Sequence, residues 1–519
     1  MVIESPWPTL EPYPKEPLAS WLEGSSLRFG DKAAFLDREG RGYTFRETFT
    51  LARRIGRLLQ EQGLPKGEAV AIVSPNTPFY IVASLGVLWA GGALLPLNPL
   101  QKERELQHLL ADSRARAALV TGDLLPRLEA IKGDLPDLEA VHVLDELEAR
   151  AAQVPAEPLP LAIAPKEDPA ILMSTGGTTG LPKEAVRTHY HITTAIRQIV
   201  LIRGFNSFST ILLFTPFFHS LGLVGLGLYG LAVGATQVVM PRFDPEEALA
   251  LTEKFRITYI ALAPPALAAL NRAAQNSRYD LASLSCIITG SAALPEELAA
   301  EARQVLDCFI SQGYGHGETS VTNNNPSHRV KAASVGPPMP DTLEKVVDPE
   351  GDEEVPPGEV GELLVKGPQV FRAYWRNPEA TAEAVTPDGW FRTGDLAWAD
   401  EEGYVYIVDR KKEVIKYKGY QVTPAELEAV LLEHPAVLEA AVIPKEAREV
   451  GEVPKALVVL RPGAEASPEE LKKELMAFVE ERVAPYKKVR EVEFIDAIPR
   501  SPLGKVFRRE LIERERARG

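Results

Sequence analysis

Cysteine is nearly absent from this 519-residue chain, which holds two, Cys286 and Cys308. Both lie in apolar surroundings, Ser285-Cys-Ile-Ile and Asp307-Cys-Phe-Ile, with no His or second Cys at ligand spacing. They are expected to be buried thiols, which fits a reducing cytoplasm. Positive charge is in deficit as well. The net charge is −15, which argues against a nucleic-acid partner held through its phosphates. An anionic substrate must then be met by local clusters of Lys and Arg. The start, Met1-Val-Ile-Glu-Ser-Pro-Trp-Pro, shows no basic stretch followed by an apolar one, so no signal peptide is expected. Residues 211 to 240 contain no Asp, Glu, Lys or Arg, and in length and apolarity they imitate a transmembrane helix. Pro216, His219, Gly222, Gly225, Gly227, Gly230 and Gly234 interrupt that run, and its two ends have strand character. A buried strand, helix and strand of a parallel sheet covered on both faces is expected, with no integral membrane segment.

What is present is the composition of a globular protein, 45% hydrophobic and 25% charged, in a chain long enough for two or more domains. The chain is organised around Ile171-Leu-Met-Ser-Thr-Gly-Gly-Thr-Thr-Gly-Leu-Pro-Lys183. An apolar strand opens there into a Gly/Thr loop closed by Pro182 and Lys183. Gly176, Gly177 and Gly180 let the backbone turn its N–H groups toward an anion. Thr175, Thr178 and Thr179 add hydroxyls, and Lys183 adds a compact positive charge. Those are the parts of a polyphosphate cradle; a flexible linker loop is the plainer alternative. No Gly-Lys-Ser/Thr ends the loop, so it is not a Walker A motif.

Strand and helix signals alternate on both sides of this loop. Thr44-Phe-Arg-Glu47 forms a capping box for a helix reaching about Glu61. Residues 69–73 and 118–120 read as strands and 79–90 as a helix, while the Pro- and Ala-rich residues 151–169 read as a connection between two doubly wound subdomains. Beyond the loop, strands are expected at 210–214, 236–240, 257–262, 285–290 and 308–312. Helices are expected at 190–202, 221–232, 245–254, 265–275 and 295–306. From about Thr342 short strands with turn signals suggest a small β subdomain. After Asp409-Arg-Lys-Lys412 a separate α+β domain is expected, ending in a charged helix from 507 to 518 whose mixed signs fit a solvated face.

Ligands of open parallel sheets sit beyond the carboxyl ends of strands, and two motifs fall there. Thr289-Gly-Ser-Ala-Ala-Leu-Pro295 follows one strand and Gln312-Gly-Tyr-Gly-His-Gly-Glu-Thr319 the next. The second offers an aromatic face at Tyr314, close backbone approach at Gly315, and the Glu318 carboxylate, a ligand type suited to Mg²⁺. In Trp390-Phe-Arg-Thr-Gly-Asp-Leu396, Asp395 could accept from vicinal hydroxyls, although on this motif alone an Asx turn is the favoured account. The loops Lys416-Tyr-Lys-Gly-Tyr-Gln421 and Pro499-Arg-Ser-Pro-Leu-Gly-Lys505 are basic, as solvated loops commonly are. His219, in an uncharged run, would ordinarily be a satisfied core residue.

Taken together, these motifs resemble, in order and spacing and over nearly the whole chain, the adenylate-forming superfamily of acyl-CoA synthetases, peptide-synthetase adenylation domains and luciferases. The stretch Val408-Asp-Arg-Lys-Lys-Glu-Val-Ile-Lys-Tyr-Lys-Gly-Tyr-Gln-Val422 looks most like coumarate–CoA ligase and luciferase, and the motifs as a whole lie nearest fatty-acid– and coumarate–CoA ligases. The resemblance implies an α/β fold: a large N-terminal domain of doubly wound αβαβα layers with a small β subdomain (residues 1–408), a hinge (409–412), and a mobile α+β C-terminal lid (413–519). It implies ATP, Mg²⁺ and the co-substrate CoA, a small carboxylic acid as the other substrate, and a cytoplasmic enzyme. A homodimer is compatible with this, but oligomeric state is not readable from sequence.

The resemblance also assigns roles. The 175–183 loop grips the β- and γ-phosphates, with Thr178 also near the metal. Ser291, Ala292 and Ala293 line the adenine pocket, Tyr314 stacks on adenine beside Gly315, and Thr319 borders the nucleotide. Glu318 holds Mg²⁺, while Asp395 and Arg410 reach the ribose. Lys505 bridges the substrate carboxylate and the α-phosphate. His219 sits at the acyl pocket, Lys412 at the hinge, and Lys416, Lys418 and Gly419 near CoA. Lys505 serves acid adenylation, and rotation about Lys412 brings the Lys416–Gly419 loop in for thioester formation.

Two departures stand out. The family usually has Gly after the loop lysine, and here it is Glu184, which is expected to point to solvent because a carboxylate would repel polyphosphate. The family usually has Thr before the metal-binding Glu, and here it is Gly317; His316 or Thr319 could supply the missing hydroxyl's contact. Amino-acid-activating members place an Asp after the 211–215 strand, where this chain reads Phe217-Phe-His-Ser-Leu-Gly. An uncharged acid, aromatic or a medium-to-long fatty acid, is therefore favoured. Gly222, Gly225 and Gly227 could leave room for a tunnel or only allow close packing. Three classes stay open: an acid–CoA ligase, an adenylate former serving a separate carrier protein or another use, and a catalytically weak member.

Overall fold

The computed structural model describes residues 2–175, 183–349, 351–417, 420–447, 451–462, 467–483, 485, 487–500 and 506–518, without the side chains of 412, 416, 420 and 421. The chain divides into two compact units: Ile3–Glu344 with Val365–Phe391, and Met1–Val2 with Lys345–Leu364 and Arg392–Gly519.

The larger unit is built on two sheets whose central strands are apolar on both faces. A six-stranded sheet runs in the order Ala140–Val143, Ala117–Val120, Ala69–Val73, Ala93–Leu97, Pro169–Thr175, Lys183–Thr188. An eight-stranded sheet runs Ser320–Asn324, Phe309–His316, Cys286–Thr289, Tyr259–Leu262, Thr210–Leu213, Thr236–Val239, Ala33–Leu36, Gly42–Thr44. Strand alternation sends neighbouring residues to opposite faces, and this sorts the cores. Val70 and Ile72 enter one hydrophobic core and Ala69, Ala71 and Val73 a second. Ile211 and Leu213 enter the first core and Leu212 a third. The first core therefore lies between the sheets, filled by helices Phe45–Glu61, Pro78–Trp89 and His189–Arg203. Helices Glu103–Ser113 and Leu125–Lys132 cover the outer face of one sheet, and Pro245–Phe255, Pro264–Gln275 and Glu296–Leu306 that of the other. The outcome is the expected layering of helix, sheet, helix, sheet, helix.

Local chemistry explains several elements. Thr44 caps its helix as expected: Glu47 N–H donates to Thr44 Oγ1 at 3.2 Å, and Thr44 N–H donates to the Glu47 carboxylate at 2.8 Å. The uncharged run forms two parallel neighbouring strands, Thr210–Leu213 and Thr236–Val239, joined by helical turns with a π-helical stretch at Leu223–Leu228. Among the described residues, no helix is long and apolar enough to cross a membrane. At Gly222 the role is close packing, because a Cβ there would stand 2.3 Å from Pro216 O and 2.5 Å from Thr215 O.

Residues 151–168 correct an expectation. They do not lead from one subdomain to the next but return the chain to the six-stranded sheet, where strand Pro169–Thr175 pairs beside Ala93–Leu97. The eight-stranded sheet in turn recruits its last two strands from the first 44 residues, a long-range pairing that local periodicity does not encode. The thiols differ a little too: Cys286 and Cys308 are partly rather than fully buried, and burial pushes both up to about 12.

Strands Leu343–Val347, Gly361–Lys366, Phe391–Ala399 and Val405–Arg410 are neighbours in that order and fall mostly in the smaller unit. A second sheet follows, with Val437–Ala447 antiparallel to Gly451–Leu460 and Glu491–Phe494 parallel to the latter. Helices Pro424–Leu432 and Pro468–Glu480 pack on it through Leu427, Leu431, Leu471, Leu475 and Val479. This is the α+β texture expected there.

Candidate active site

The Gly/Thr loop is carried by a β-hairpin. Strand Pro169–Thr175 pairs antiparallel with Lys183–Thr188, and Thr175 faces Lys183 across the ladder. Thr175 Oγ1 donates to Lys183 O at 3.1 Å, so this hydroxyl ties the two ends of the loop together. Gly176, Gly177, Thr178, Thr179 and Gly180 lie outside the described residues. The Lys183 ammonium sits 5.4 Å from the centroid of the Tyr374 ring, within cation–π range.

Glu184 is not where the sequence reading put it. Its residue is 1% exposed, and among the described residues neither carboxylate oxygen has a hydrogen-bond partner. Its backbone is fixed on both sides: it pairs with Ser174 in the ladder, and Trp375 N–H donates to its carbonyl at 2.7 Å. Because Lys183 and Glu184 are consecutive in a strand, their side chains leave opposite faces. Glu184 thus lies on the face of Val186, which joins the core under helix Glu103–Ser113. Burial, together with the neighbouring Asp112 carboxyl, pushes the Glu184 carboxyl up to about 8. Phosphate repulsion is avoided by turning inward, not outward.

Glu318 sits in the tight connection between Phe309–His316 and Ser320–Asn324, which pair antiparallel. It is 7% exposed. Tyr374 OH donates to Glu318 Oε1 at 2.8 Å, and Phe371 N–H donates to Glu318 O at 2.7 Å. Burial and the Glu318 charge push the Tyr374 phenol up, so it stays a donor. Among the described residues nothing else donates to the Glu318 carboxylate. One hard oxygen ligand of this kind fits Mg²⁺ that shares phosphate oxygens. The described residues include no group of three or more His, Cys, Asp or Glu able to hold a metal.

Around Glu318 the predicted residues fare differently. A Cβ on Gly317 would stand 2.7 Å from Thr175 Cγ2 and 3.2 Å from Met173 Cγ, so the Thr175 methyl takes the room a side chain at 317 would need. Thr319 is buried, and its hydroxyl accepts from His316 N–H and donates to Ser320 O, both at 3.1 Å. That hydroxyl is spent on the turn. The His316 ring is 2.6 Å from Tyr314 OH through Nε2, and it meets the Tyr314 and Phe391 rings edge-on. It steadies the Tyr314 aromatic face. Gly315 is required by a close approach, since a Cβ would fall 1.8 Å from Ser320 O. Ser291 follows strand Cys286–Thr289 with φ of 70°, a left-handed conformation unusual for serine. Ala292 and Ala293 continue that exposed-to-intermediate turn.

His219 is only partly buried and starts the helical turn at Ser220, with its ring 4.6 Å from that of Phe218. The next residue, Ser220, is 3.1 Å through Oγ from Ser320 Oγ, which ties this turn to the hairpin that bears Glu318. In the smaller unit, Asp395 and Arg410 are cross-strand partners, and Arg410 Nε reaches Asp395 Oδ1 at 2.8 Å. Asp395 is 3% exposed and lies inside strand Phe391–Ala399 rather than in an Asx turn. Lys505, Lys418 and Gly419, and the side chains of Lys412 and Lys416, lie outside the described residues.

Two residues that the sequence reading passed over belong here, Tyr374 and Arg187. Arg187 donates from Nη1 to Gly317 O at 2.8 Å and from Nη2 to Gln369 O at 3.0 Å. A signal existed for each. Tyr374 falls in the aromatic cluster Phe371-Arg-Ala-Tyr-Trp375, and Arg187 is a cation in the apolar strand Ala185-Val-Arg-Thr188.

Comparison with known proteins gives the following. The sequence pattern of the AMP-binding enzymes matches residues 22–375, and that of the AMP-binding enzyme C-terminal domain matches 426–505. The 4-coumarate–CoA ligase-like 4 of Oryza sativa subsp. japonica is 36% identical over 97% of this chain and 94% of its own length. The long-chain-fatty-acid–CoA ligase of Bacillus subtilis (strain 168) is 36% identical over 97% of this chain and 95% of its own. A solved structure, the anthranilate CoA ligase AuaEII in complex with anthranoyl-AMP, superposes with a TM-score of 0.88 at 28% identity, covering 96% of this chain and 97% of that one.

Proposed function

The chain belongs to the AMP-binding enzyme family, and we propose that it is an AMP-forming acid–CoA ligase acting on an uncharged aromatic or fatty carboxylic acid. The carrying observation is the Glu318 carboxylate held by Tyr374 within reach of the same hairpin that bears Thr175 and Lys183. A carboxylate is a poor acyl donor because its leaving group would be oxide. Attack of the acid's oxygen on the ATP α-phosphorus forms the P–O bond of an acyl-adenylate and releases pyrophosphate. The CoA thiol then attacks the acyl carbon, loses its proton, and expels AMP.

In this reading Thr175, the loop through Thr179, and Lys183 hold the β- and γ-phosphates. Ser291, Ala292, Ala293, Tyr314 and Gly315 receive adenine. Asp395 and Arg410 receive the ribose, so their ion pair must open or share the hydroxyls. Glu318 and Thr178 would hold Mg²⁺, which when bound offsets negative charge on the phosphates. Lys505 neutralises the charge that builds between acid and α-phosphate. Residues 409–412 act as a hinge between domains 1–408 and 413–519, turning at Lys412 to bring Lys416, Lys418 and Gly419 to CoA. The acid lies beside His219. The lack of a carboxylate in Phe217-Phe-His-Ser-Leu-Gly supports a substrate without an amine. The names of the two relatives, a coumarate-type and a long-chain fatty-acid ligase, support the aromatic and fatty classes alike. Two thiols with no disulfide support a cytoplasmic setting.

The test is pyrophosphate exchange into ATP across a panel of aromatic, medium-chain and long-chain acids, followed by CoA consumption. Exchange that depends on one of these acids, with CoA consumed, is expected. Exchange with CoA left untouched would point to a carrier-protein acceptor, and no exchange with any acid would reject the enzyme reading.

A further inference from the structure

Arg187 is the largest side chain in the described chain with essentially no exposed surface. It lies in strand Lys183–Thr188 on the face shared by Lys183 and Ala185, and Ala185 packs against Phe371 and Phe391. Burying a guanidinium costs several kcal/mol even when it is paired. A site that needed only packing would hold an aliphatic residue, as Ala185 and Val186 do. The partners of Arg187 are also unusual. They are two backbone carbonyls, those of Gly317 and Gln369, while among the described residues its Nε has no partner. Gly317 immediately precedes Glu318, and Gln369 lies two residues before Phe371, whose N–H holds Glu318 O. Arg187 thus grips both backbone segments that meet at Glu318, and the Glu318 charge is its electrostatic partner. Desolvation works against the cation and brings the guanidinium down to about 9, with Glu318 opposing that fall.

Gly317 makes the grip necessary. With no side chain of its own, and with the Thr175 methyl filling the space, the 317 peptide is fixed from behind by the guanidinium. We propose that Arg187 is a positioning residue for the Glu318 carboxylate, setting how tightly the enzyme captures ATP with its divalent cation. The proposal rests on the nucleotide-binding reading above but not on the identity of the acid or the acceptor. It separates two effects of one side chain: a fork that fixes the Gly317 carbonyl, and a positive charge that attracts the Glu318 carboxylate beside it.

The test uses the full chain with Arg187→Met and Arg187→Lys. Calorimetric titration of ATP at stepped Mg²⁺ concentrations reads the half-saturating Mg²⁺. Exchange and thiolysis of supplied acyl-adenylate read the two half-reactions. For Arg187→Met the half-saturating Mg²⁺ should rise at least tenfold and exchange should fall, while acyl-adenylate thiolysis stays within twofold of wild type. Arg187→Lys, which keeps the charge but not the fork, should recover part of the loss. A role in packing alone would lower the melting temperature and depress both half-reactions together, with Lys no better than Met; that result, or unchanged Mg²⁺ dependence in a folded variant, overturns the proposal. If Arg187→Met does not fold, Arg187→Lys decides, with a rise of threefold or more expected and no rise overturning it. Wild-type protein that binds ATP with Mg²⁺ but shows no exchange would reject the ligase reading and leave this titration to decide on Arg187. Wild type that binds no ATP would reject both.

Discussion

Glu184→Gln replaces a buried carboxyl by a neutral group of nearly the same shape. The folded protein holds the Glu184 carboxyl at about 8 against an ordinary 4.5. In the unfolded chain the proton leaves first, so above pH 4.5 the unfolded state binds fewer protons than the folded one. Stability from this group is therefore full at acid pH and drains away as pH rises toward 8. Linkage makes the loss about 3–4 kcal/mol between pH 5 and pH 8, a drain the Gln variant escapes. For a unit of this size that corresponds to a difference in melting temperature of roughly 4 °C. Any fixed cost of the Gln amide cancels, because only the change between the two pH values is read. The assay is differential scanning fluorimetry at pH 5 and pH 8 with the ATP KM measured alongside. The variant should gain several degrees on wild type between the two pH values, and the KM should stay within threefold. A gap that does not change with pH refutes the buried, protonated assignment. A tenfold fall in KM, about 1.4 kcal/mol, would mean that the carboxylate faces the phosphates after all.

Three further outcomes follow from the same geometry. Tyr374→Phe removes the hydroxyl that donates to Glu318 Oε1 and should cut kcat/KM for ATP about tenfold, the worth of one charged hydrogen bond, measured by exchange at varied ATP. Gly317→Thr, which restores the family's residue, should lower exchange because its Cβ meets Thr175 Cγ2, and Thr175→Ser in the same chain should recover much of the loss; additive damage would show that the two side chains do not compete for space. Lys505→Ala should slow adenylation by on the order of 10²–10³ and largely spare thioester formation from supplied acyl-adenylate, whereas equal damage to both steps would rule out that division of labour.

The layered α/β architecture was legible because alternation of apolar strands with helices is a local pattern, and the capping box at Thr44 was legible because both partners lie within four residues. The origin of the edge strands was not. Ala33–Leu36 joins Thr236–Val239 across 200 residues, and no periodicity records a partner that distant. The Glu318 motif could be read from residue type, but its environment could not. Tyr374 and Arg187 reach it from 56 and 130 residues away in sequence, and each on its own is an ordinary aromatic or cation. Glu184 misled for a physical reason. A carboxylate near a phosphate loop is repelled, but in a strand the alternative to facing the ligand is the opposite face, and here that face is core.

The central claim is two-step chemistry with an adenylate between acid and thioester. Its most direct measurement is a single-turnover reaction of enzyme in excess over labelled ATP, with an accepted acid, quenched before and after addition of CoA. Acyl-AMP and pyrophosphate should appear in equal amounts without CoA, and acyl-CoA and AMP should replace the adenylate once CoA is added. ADP and inorganic phosphate in their place, or AMP released without any acid, would contradict it.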